Sequence, residues 1–135
     1  GQSRKGNNMR ITLCGSTKFP KTWALANRLL TLDGHFVYTI AFAGSKLTED
    51  QKRKLDAIHM AKIVDSDAIL VLNVDGYMGY STRQEIEFAI AMNRRVYFLT
   101  PAETLPDYPQ GMDFDSLYKG VIPKALAKII DTGKE

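Results

Sequence analysis

Two short stretches carry residue types that chemistry needs. In the first, Gly15-Ser16-Thr17-Lys18 sets small residues, hydroxyls and a cation where a strand gives way to a helix. Unpaired N–H groups and the helix dipole favour an anion at such a place, so a phosphate or a sugar hydroxyl would suit it. A plain tight turn with a helix cap accounts for the same residues. The loop is not a P-loop, since it lacks the spaced glycine and the Gly-Lys-Ser/Thr ending, and it is not G-x-G-x-x-G. In the second stretch, residues 75–85 run from an apolar strand through a loop bearing Gly76 and Gly79 into a helix opening at Ser81. Glu85 falls about one turn inside that helix, where a carboxylate is held firmly yet can face a ligand crevice. Complementing the helix dipole or pairing with a basic neighbour is the plainer use of the same residue. Glu87 competes for the role, because the two flank the apolar face of Ile86, Ala89 and Ile90 on opposite sides and periodicity does not choose between them. His59 adds an imidazole, the side chain suited to proton transfer near neutral pH, although it shares a helix face with Leu55 and Ile58 and can equally be a packed, satisfied histidine.

The elements that must position these residues follow from the hydrophobic pattern. Residues 9–13 read as a strand running into the small-residue turn 14–17, with Pro20 where a first helical turn tolerates it. The spacing of Trp23, Ala26, Leu29 and Leu30 predicts a helix over 20–32, ended by Asp33-Gly34. A second strand is expected at 35–40, followed by a loop over 41–47. Thr48 and Gln51 then have the form of a capping box opening a helix to about 65. Residues 68–73 are continuously apolar, the pattern of a strand buried on both faces. Ser81 and Gln84 repeat the capping-box pattern before a helix ending near 93, and a fourth strand is expected at 95–99. Pro101, Pro106, Pro109 and Gly111 break the segment 100–113, and a terminal helix is expected over 117–130, interrupted or started at Pro123. Strands alternating with helices of this length imply right-handed crossovers and a parallel sheet. The expected fold is therefore α/β, a Rossmann-like or flavodoxin-like three-layer sandwich with a four- to five-stranded parallel sheet. Such sheets bind ligands beyond the carboxyl ends of their strands, which directs the loops at 14–19, 41–46, 73–80 and 100–107 toward the site.

The 135 residues correspond to one domain, with 1–8 expected as a polar flexible tail and 9–135 as the folded unit. Apolar residues make up 44% and charged residues 24%, close to the roughly 45–50% and about 25% of ordinary globular domains, which argues against disorder and fibrous structure. The longest apolar runs, such as 68–72, fall short of the roughly 18 residues of a spanning helix, and no charged-then-apolar leader opens the chain. Neither membrane insertion nor secretion is expected. The single cysteine, Cys14, fits a reducing compartment and a cytoplasmic location. It has no Cys or His neighbour at ligand spacing, so no metal site is expected, and it reads as a small apolar filler at a strand end. A net charge of +3 mildly favours anionic partners, part of the excess coming from Arg4, Lys5 and Arg10. No basic stripe interleaves with aromatics, so nucleic acid is not an expected partner.

Taken together and in order, Cys14-Gly15-Ser16-Thr17-Lys18, the approach Asp65-Ser66-Asp67 to the third strand, and Tyr80-Ser81-Thr82-Arg83-Gln84-Glu85-Ile86-Glu87-Phe88-Ala89 resemble the nucleoside 2-deoxyribosyltransferase-like superfamily. That superfamily includes the 2′-deoxynucleoside 5′-phosphate N-hydrolases, and the resemblance spans about 9–99. It implies cleavage or transfer at the N-glycosidic bond of a (deoxy)nucleoside or its 5′-monophosphate, with a small-molecule substrate and no cofactor. It implies that Glu85 is the nucleophile, trapping an oxocarbenium-like carbon as a covalent glycosyl-glutamate. Gly15, Ser16, Thr17 and Lys18 then belong to the loop touching the sugar or 5′-phosphate, and Gly79 and Ser81 to an anion-facing turn. Water as the second acceptor makes a hydrolase, and a second base makes a transferase. The sequence departs from the family at two places: His59 stands where an aspartate is usual, and Gly79 where a phosphate-binding serine can occur. His59 can serve as the acid that protonates the leaving base, while Asp75 or Asp56 can supply the missing carboxylate.

Tyr77, Tyr80 and Phe42 lie in site-facing loops and can stack on a base, or simply pack beneath the loops. Trp23 and Met60 are expected in the core or a subunit contact. Two further readings fit the same fold: a non-catalytic nucleotide-binding or sensing module, and an NAD-type N-glycosidase. A homodimer or homotetramer is expected, because a small sheet makes a shallow crevice and Leu105, Tyr108, Met112 and Phe114 leave apolar surface uncovered on a monomer. The resemblance implies the same, with one subunit's pocket completed by the next.

Overall fold

The computed structural model describes residues 8–42 and 46–100. Residues 1–7 of the expected tail over 1–8, most of the proline-broken segment and the terminal helix expected over 117–130 lie outside the described residues. In chain order the elements are β1 (Arg10–Cys14), α1 (Pro20–Leu32), β2 (Phe36–Tyr38), α2 (Glu49–Val64), β3 (Ala68–Val71), α3 (Tyr80–Ala91) and β4 (Arg95–Phe98), with a short 3-10 turn, Val74–Gly76, between β3 and α3. The four strands form one sheet in the order β2-β1-β3-β4, and every pairing is parallel. This order is that of a flavodoxin-like winding, whose topological switch point lies between β1 and β3. The α/β sandwich expected from the sequence is thus observed, with four strands among the described residues.

Side-chain alternation along the strands builds the layers. Ile11 and Leu13 of β1 face α1, joining Trp23, Ala26 and Leu30 with Leu70 and Leu72 in one core. Cys14, Ile69, Val71, Val96 and Phe98 face the opposite way, against Ile63 of α2 and Ile86 and Ala89 of α3. Every residue of β3 is buried, as its unbroken apolar run predicts. Trp23 is only 2% exposed, and Met60 packs against the second core as a partly buried residue. Burying side chains of this size contributes about 1.5–3 kcal/mol each, so the two cores rather than intrinsic propensity hold the helices on the sheet. No helix among the described residues is long and apolar enough to cross a membrane.

Helix ends decide where the loops begin. Pro20 opens α1, and Phe19 at the N-cap gives its carbonyl to the Trp23 N–H at 3.2 Å without a side-chain cap. At the other end Gly34 takes φ +99°, the conformation that glycine tolerates, and turns the chain into β2. The capping box at α2 forms as the sequence predicts, with the Gln51 N–H donating to Thr48 Oγ1 at 3.1 Å and the Thr48 N–H to Gln51 Oε1 at 2.9 Å. The expected second box does not form. Gly79, not Ser81, is the N-cap of α3, because its carbonyl accepts the Arg83 N–H at 3.2 Å. Ser81 is therefore already the second residue of the helix, with its side chain exposed.

Candidate functional site

The loops that follow β1 and β3 meet at the switch point. Immediately after β1, Gly15 adopts φ +152°, and a Cβ there would stand 3.2 Å from both the Cβ and the carbonyl oxygen of Leu72. Only glycine lets the chain turn this tightly against the end of β3. The loop is then tied to its helix by the Trp23 indole, whose Nε1–H donates to the Ser16 carbonyl at 3.0 Å. Between the two loops the Lys18 ammonium sits 3.6 Å from the centroid of the Tyr77 ring, and Phe19 meets Tyr77 edge-on at 6.2 Å. On the far side, Asn73 at the end of β3 donates through Nδ2 to the Thr100 carbonyl at 3.1 Å and accepts the Thr100 N–H at 2.9 Å. The ends of β3 and β4 are fastened together just where they open toward the crevice.

Beside this opening, on the α2 and α3 side of the sheet, three groups from three elements converge. Cys14 closes β1 and is fully buried. His59 lies on the buried face of α2, one turn before Ile63. Glu85 lies on α3, with 16% of its side chain exposed. His59 Nε2 is 3.6 Å from Cys14 Sγ and 3.4 Å from Glu85 Oε1. Burial pushes the Cys14 thiol well above its ordinary pKa, and the Glu85 charge and a hydrogen bond to Glu85 push it the same way. The sulfur is therefore a protonated thiol, 3.6 Å from His59 Nε2, rather than a free nucleophile. Cys14, His59 and Glu85 each present one metal-ligating atom, and the three atoms lie within 4.8 Å of one another.

Several sequence expectations find a place here. Glu85 faces His59, whereas Glu87 is exposed on the same helix. His59 does not share its face with Ile58 as expected: Ile58 is 53% exposed and His59 is buried, because the residue one turn on, Ile63, defines the packed stripe. Ser16 is half-buried in the first loop, while Thr17 and Lys18 are exposed there. Gly79 caps α3 with Ser81 in its first turn. Asp75 is exposed at φ 53° in the turn after β3, and Asp56 is exposed on α2. The group next to Glu85 is thus an imidazole and a thiol, not Asp56. Phe42 rests edge-on against Trp23 at 5.5 Å, Tyr77 packs on Phe19 and Lys18, and Tyr80 stays 77% exposed.

Sequence reasoning missed Cys14 as a member of this cluster. Its spacing to any histidine is uninformative, since the partner lies 45 residues away and arrives only through packing of α2 on the sheet. No protein-family model matches the chain, and no curated protein matches it either.

Proposed function

We propose that the protein cleaves or exchanges the N-glycosidic bond of a (deoxy)nucleoside or its 5′-monophosphate, with Glu85 as the nucleophile. The observation that carries this reading is the setting of Glu85: a half-buried carboxylate beside the switch point of a parallel sheet, oriented by an imidazole and a protonated thiol. A carboxylate oxygen of Glu85 attacks the anomeric carbon as the base departs with the bonding pair and takes up a proton. Water or a second base then attacks the same carbon and releases Glu85. In retaining glycosidases the nucleophile and the acid stand about 5–5.5 Å apart across the sugar. His59 is closer to Glu85 than that, at 3.4 Å, so its part in this reading is to position Glu85, and the proton for the departing base comes from the other side of the sugar. Gly15, Ser16, Thr17, Lys18, Gly79 and Ser81 line the approach for the sugar or phosphate, with Asp75 at its rim.

The reading includes a homodimer or homotetramer, although Leu105, Tyr108, Met112 and Phe114, whose apolarity motivates it, lie outside the described residues. Incubation with deoxynucleosides, their 5′-monophosphates and NAD, followed by chromatography for free base, tests the proposal. Base released by water alone means hydrolysis, and base released only with a second base present means transfer. Release from NAD alone favours the NAD-type glycosidase. Binding without release from any of them overturns catalysis in favour of a nucleotide-sensing module.

A further inference from the structure

The convergence of Cys14, His59 and Glu85 has the composition and the spacing of a metal-ligand set. From it we infer that the protein binds a zinc-type divalent transition-metal ion, with Cys14 Sγ, His59 Nε2 and a carboxylate oxygen of Glu85 as its three protein ligands. Zinc holds sulfur at about 2.3 Å, imidazole nitrogen at about 2.0–2.1 Å and carboxylate oxygen at about 2.0–2.2 Å in a tetrahedron. Those bond lengths place S and N about 3.5–3.6 Å apart, and N and O about 3.4 Å apart. The observed separations are 3.6 Å for Sγ to Nε2 and 3.4 Å for Nε2 to Oε1. The third separation, Sγ to the Glu85 oxygen, is within 4.8 Å. Closing it to the tetrahedral value of about 3.6 Å takes a shift of the Glu85 carboxylate of no more than about 1.3 Å, which a side chain on a helix makes by a small torsion.

The donor types select the class of ion. A thiolate with an imidazole suits zinc and its first-row neighbours, whereas magnesium and calcium take oxygen alone. Three protein ligands leave a fourth position, the pattern of zinc sites that accept a water or another small ligand. Two of the ligands are fixed by the fold: Cys14 by the tight turn at Gly15 and His59 by the packed face of α2. Glu85 keeps 16% of its side chain open and offers the route of entry. His59 Nδ1 is buried with no hydrogen-bond partner among the described residues, so the group that ordinarily accepts the second ring N–H of a metal-bound imidazole is not among them, and the site rests on its three ligand atoms. On binding, the Cys14 thiol proton is released to solvent and the sulfur coordinates as thiolate.

One consequence rests on the glycosidic reading, although the site itself does not. A Glu85 oxygen engaged by the ion is withdrawn from attack on a sugar, so the metal-loaded chain is the inactive form.

Titration of the full chain with Co²⁺, after treatment with chelator and in the presence of a non-thiol reductant, tests the site directly. One equivalent is expected, with a thiolate-to-cobalt charge-transfer band and the intense visible bands of four-coordinate cobalt, all bleached by Zn²⁺. Cys14→Ser removes the charge-transfer band, and Glu85→Gln and His59→Gln weaken binding by at least roughly tenfold. His35→Gln leaves binding unchanged. Circular dichroism checks each variant for folding, and the half-buried Glu85→Gln keeps the test decisive if Cys14→Ser does not fold. Absence of the charge-transfer band at saturating Co²⁺, or an affinity indifferent to both Cys14→Ser and Glu85→Gln, overturns the site. Base release by the metal-free chain without any cobalt band sinks the metal site and leaves the glycosidase. A cobalt band without base release under either condition does the reverse.

Discussion

His59 Nε2 lies 3.4 Å from Glu85 Oε1, a pairing between α2 and α3 that neither helix shows on its own. Both side chains are largely withdrawn from water, at 9% and 16% exposure, so the interaction is not screened as a surface pair would be. The relationship gives the Glu85 carboxylate a defined neighbour and orientation.

Replacing Glu85 by Gln keeps the shape and removes the attacking charge. Turnover should fall by roughly 10³-fold or more, while the fold is retained. Glu87→Gln, on an exposed position of the same helix, should leave kcat and KM within about twofold of the parent. His59→Asn should lower kcat by about 10²-fold with little change in KM, the mark of a misplaced nucleophile rather than a lost substrate contact. Steady-state kinetics on the three variants separates these outcomes, and full activity in Glu85→Gln would place the chemistry elsewhere.

The parts of this arrangement that punctuation encodes are legible in the sequence. Pro20 and Asp33-Gly34 mark both ends of α1, which spans Pro20–Leu32 as expected, and Thr48 with Gln51 marks the start of α2. The start of α3 is less legible because two residues can serve as its cap. Gly79 prevails through a backbone hydrogen bond to Arg83, and no side-chain rule reveals that. The site itself is only half readable. The loop before α3 leaves Glu85 and Glu87 as two candidate carboxylates, and which of them meets His59 depends on which flank of the apolar stripe packs on α2. Cys14 reads as core because it is core, and its neighbours become visible only once β1, α2 and α3 are packed.

Lys18 offers a test of the proposed phosphate preference. Its ammonium stands over the Tyr77 ring at 3.6 Å, a position that keeps a charge where the loops after β1 and β3 meet. If this charge contributes to a phosphate site, a 5′-monophosphate should bind more tightly than its nucleoside, and the preference should shrink as salt rises. Lys18→Met should abolish most of the preference and its salt dependence. Calorimetry at low and high salt is the measurement, and equal affinity for nucleoside and nucleotide at low salt would favour a transferase acting on free nucleosides.

Gly15→Ala tests the tight turn. The new Cβ would press on the Leu72 carbonyl and Cβ at 3.2 Å, and φ +152° is strained for any other residue. The combined cost should be about 1–3 kcal/mol, read as a lower denaturant midpoint with an unchanged slope. Substrate affinity should fall as well, since the loop to Lys18 starts at this residue. A variant as stable as the parent would mean that the turn relaxes freely.

Stability should also carry a histidine signature near neutral pH. The Met9 N–H donates to His35 Nδ1 at 3.0 Å, and the His35 side chain is only 2% exposed. Burial lowers its pKa from the ordinary value near 6.5, and Asp33, whose Oδ2 is 3.6 Å from Nε2, offsets part of that fall. In the unfolded chain the imidazole takes up its proton near pH 6.5, whereas the folded chain resists until lower pH. The unfolded state thus binds more protons in that window. The contribution of His35 is therefore complete above about pH 6.5 and is lost as pH falls through the folded value. Protonation also costs the hydrogen bond from Met9, since Nδ1 must be bare to accept it. Thermal melts between pH 7.5 and 5 should show Tm falling as pH drops, with a shallower fall in His35→Gln, whose amide oxygen can still accept from Met9. Parallel pH profiles for the two proteins would assign the acid sensitivity to other groups.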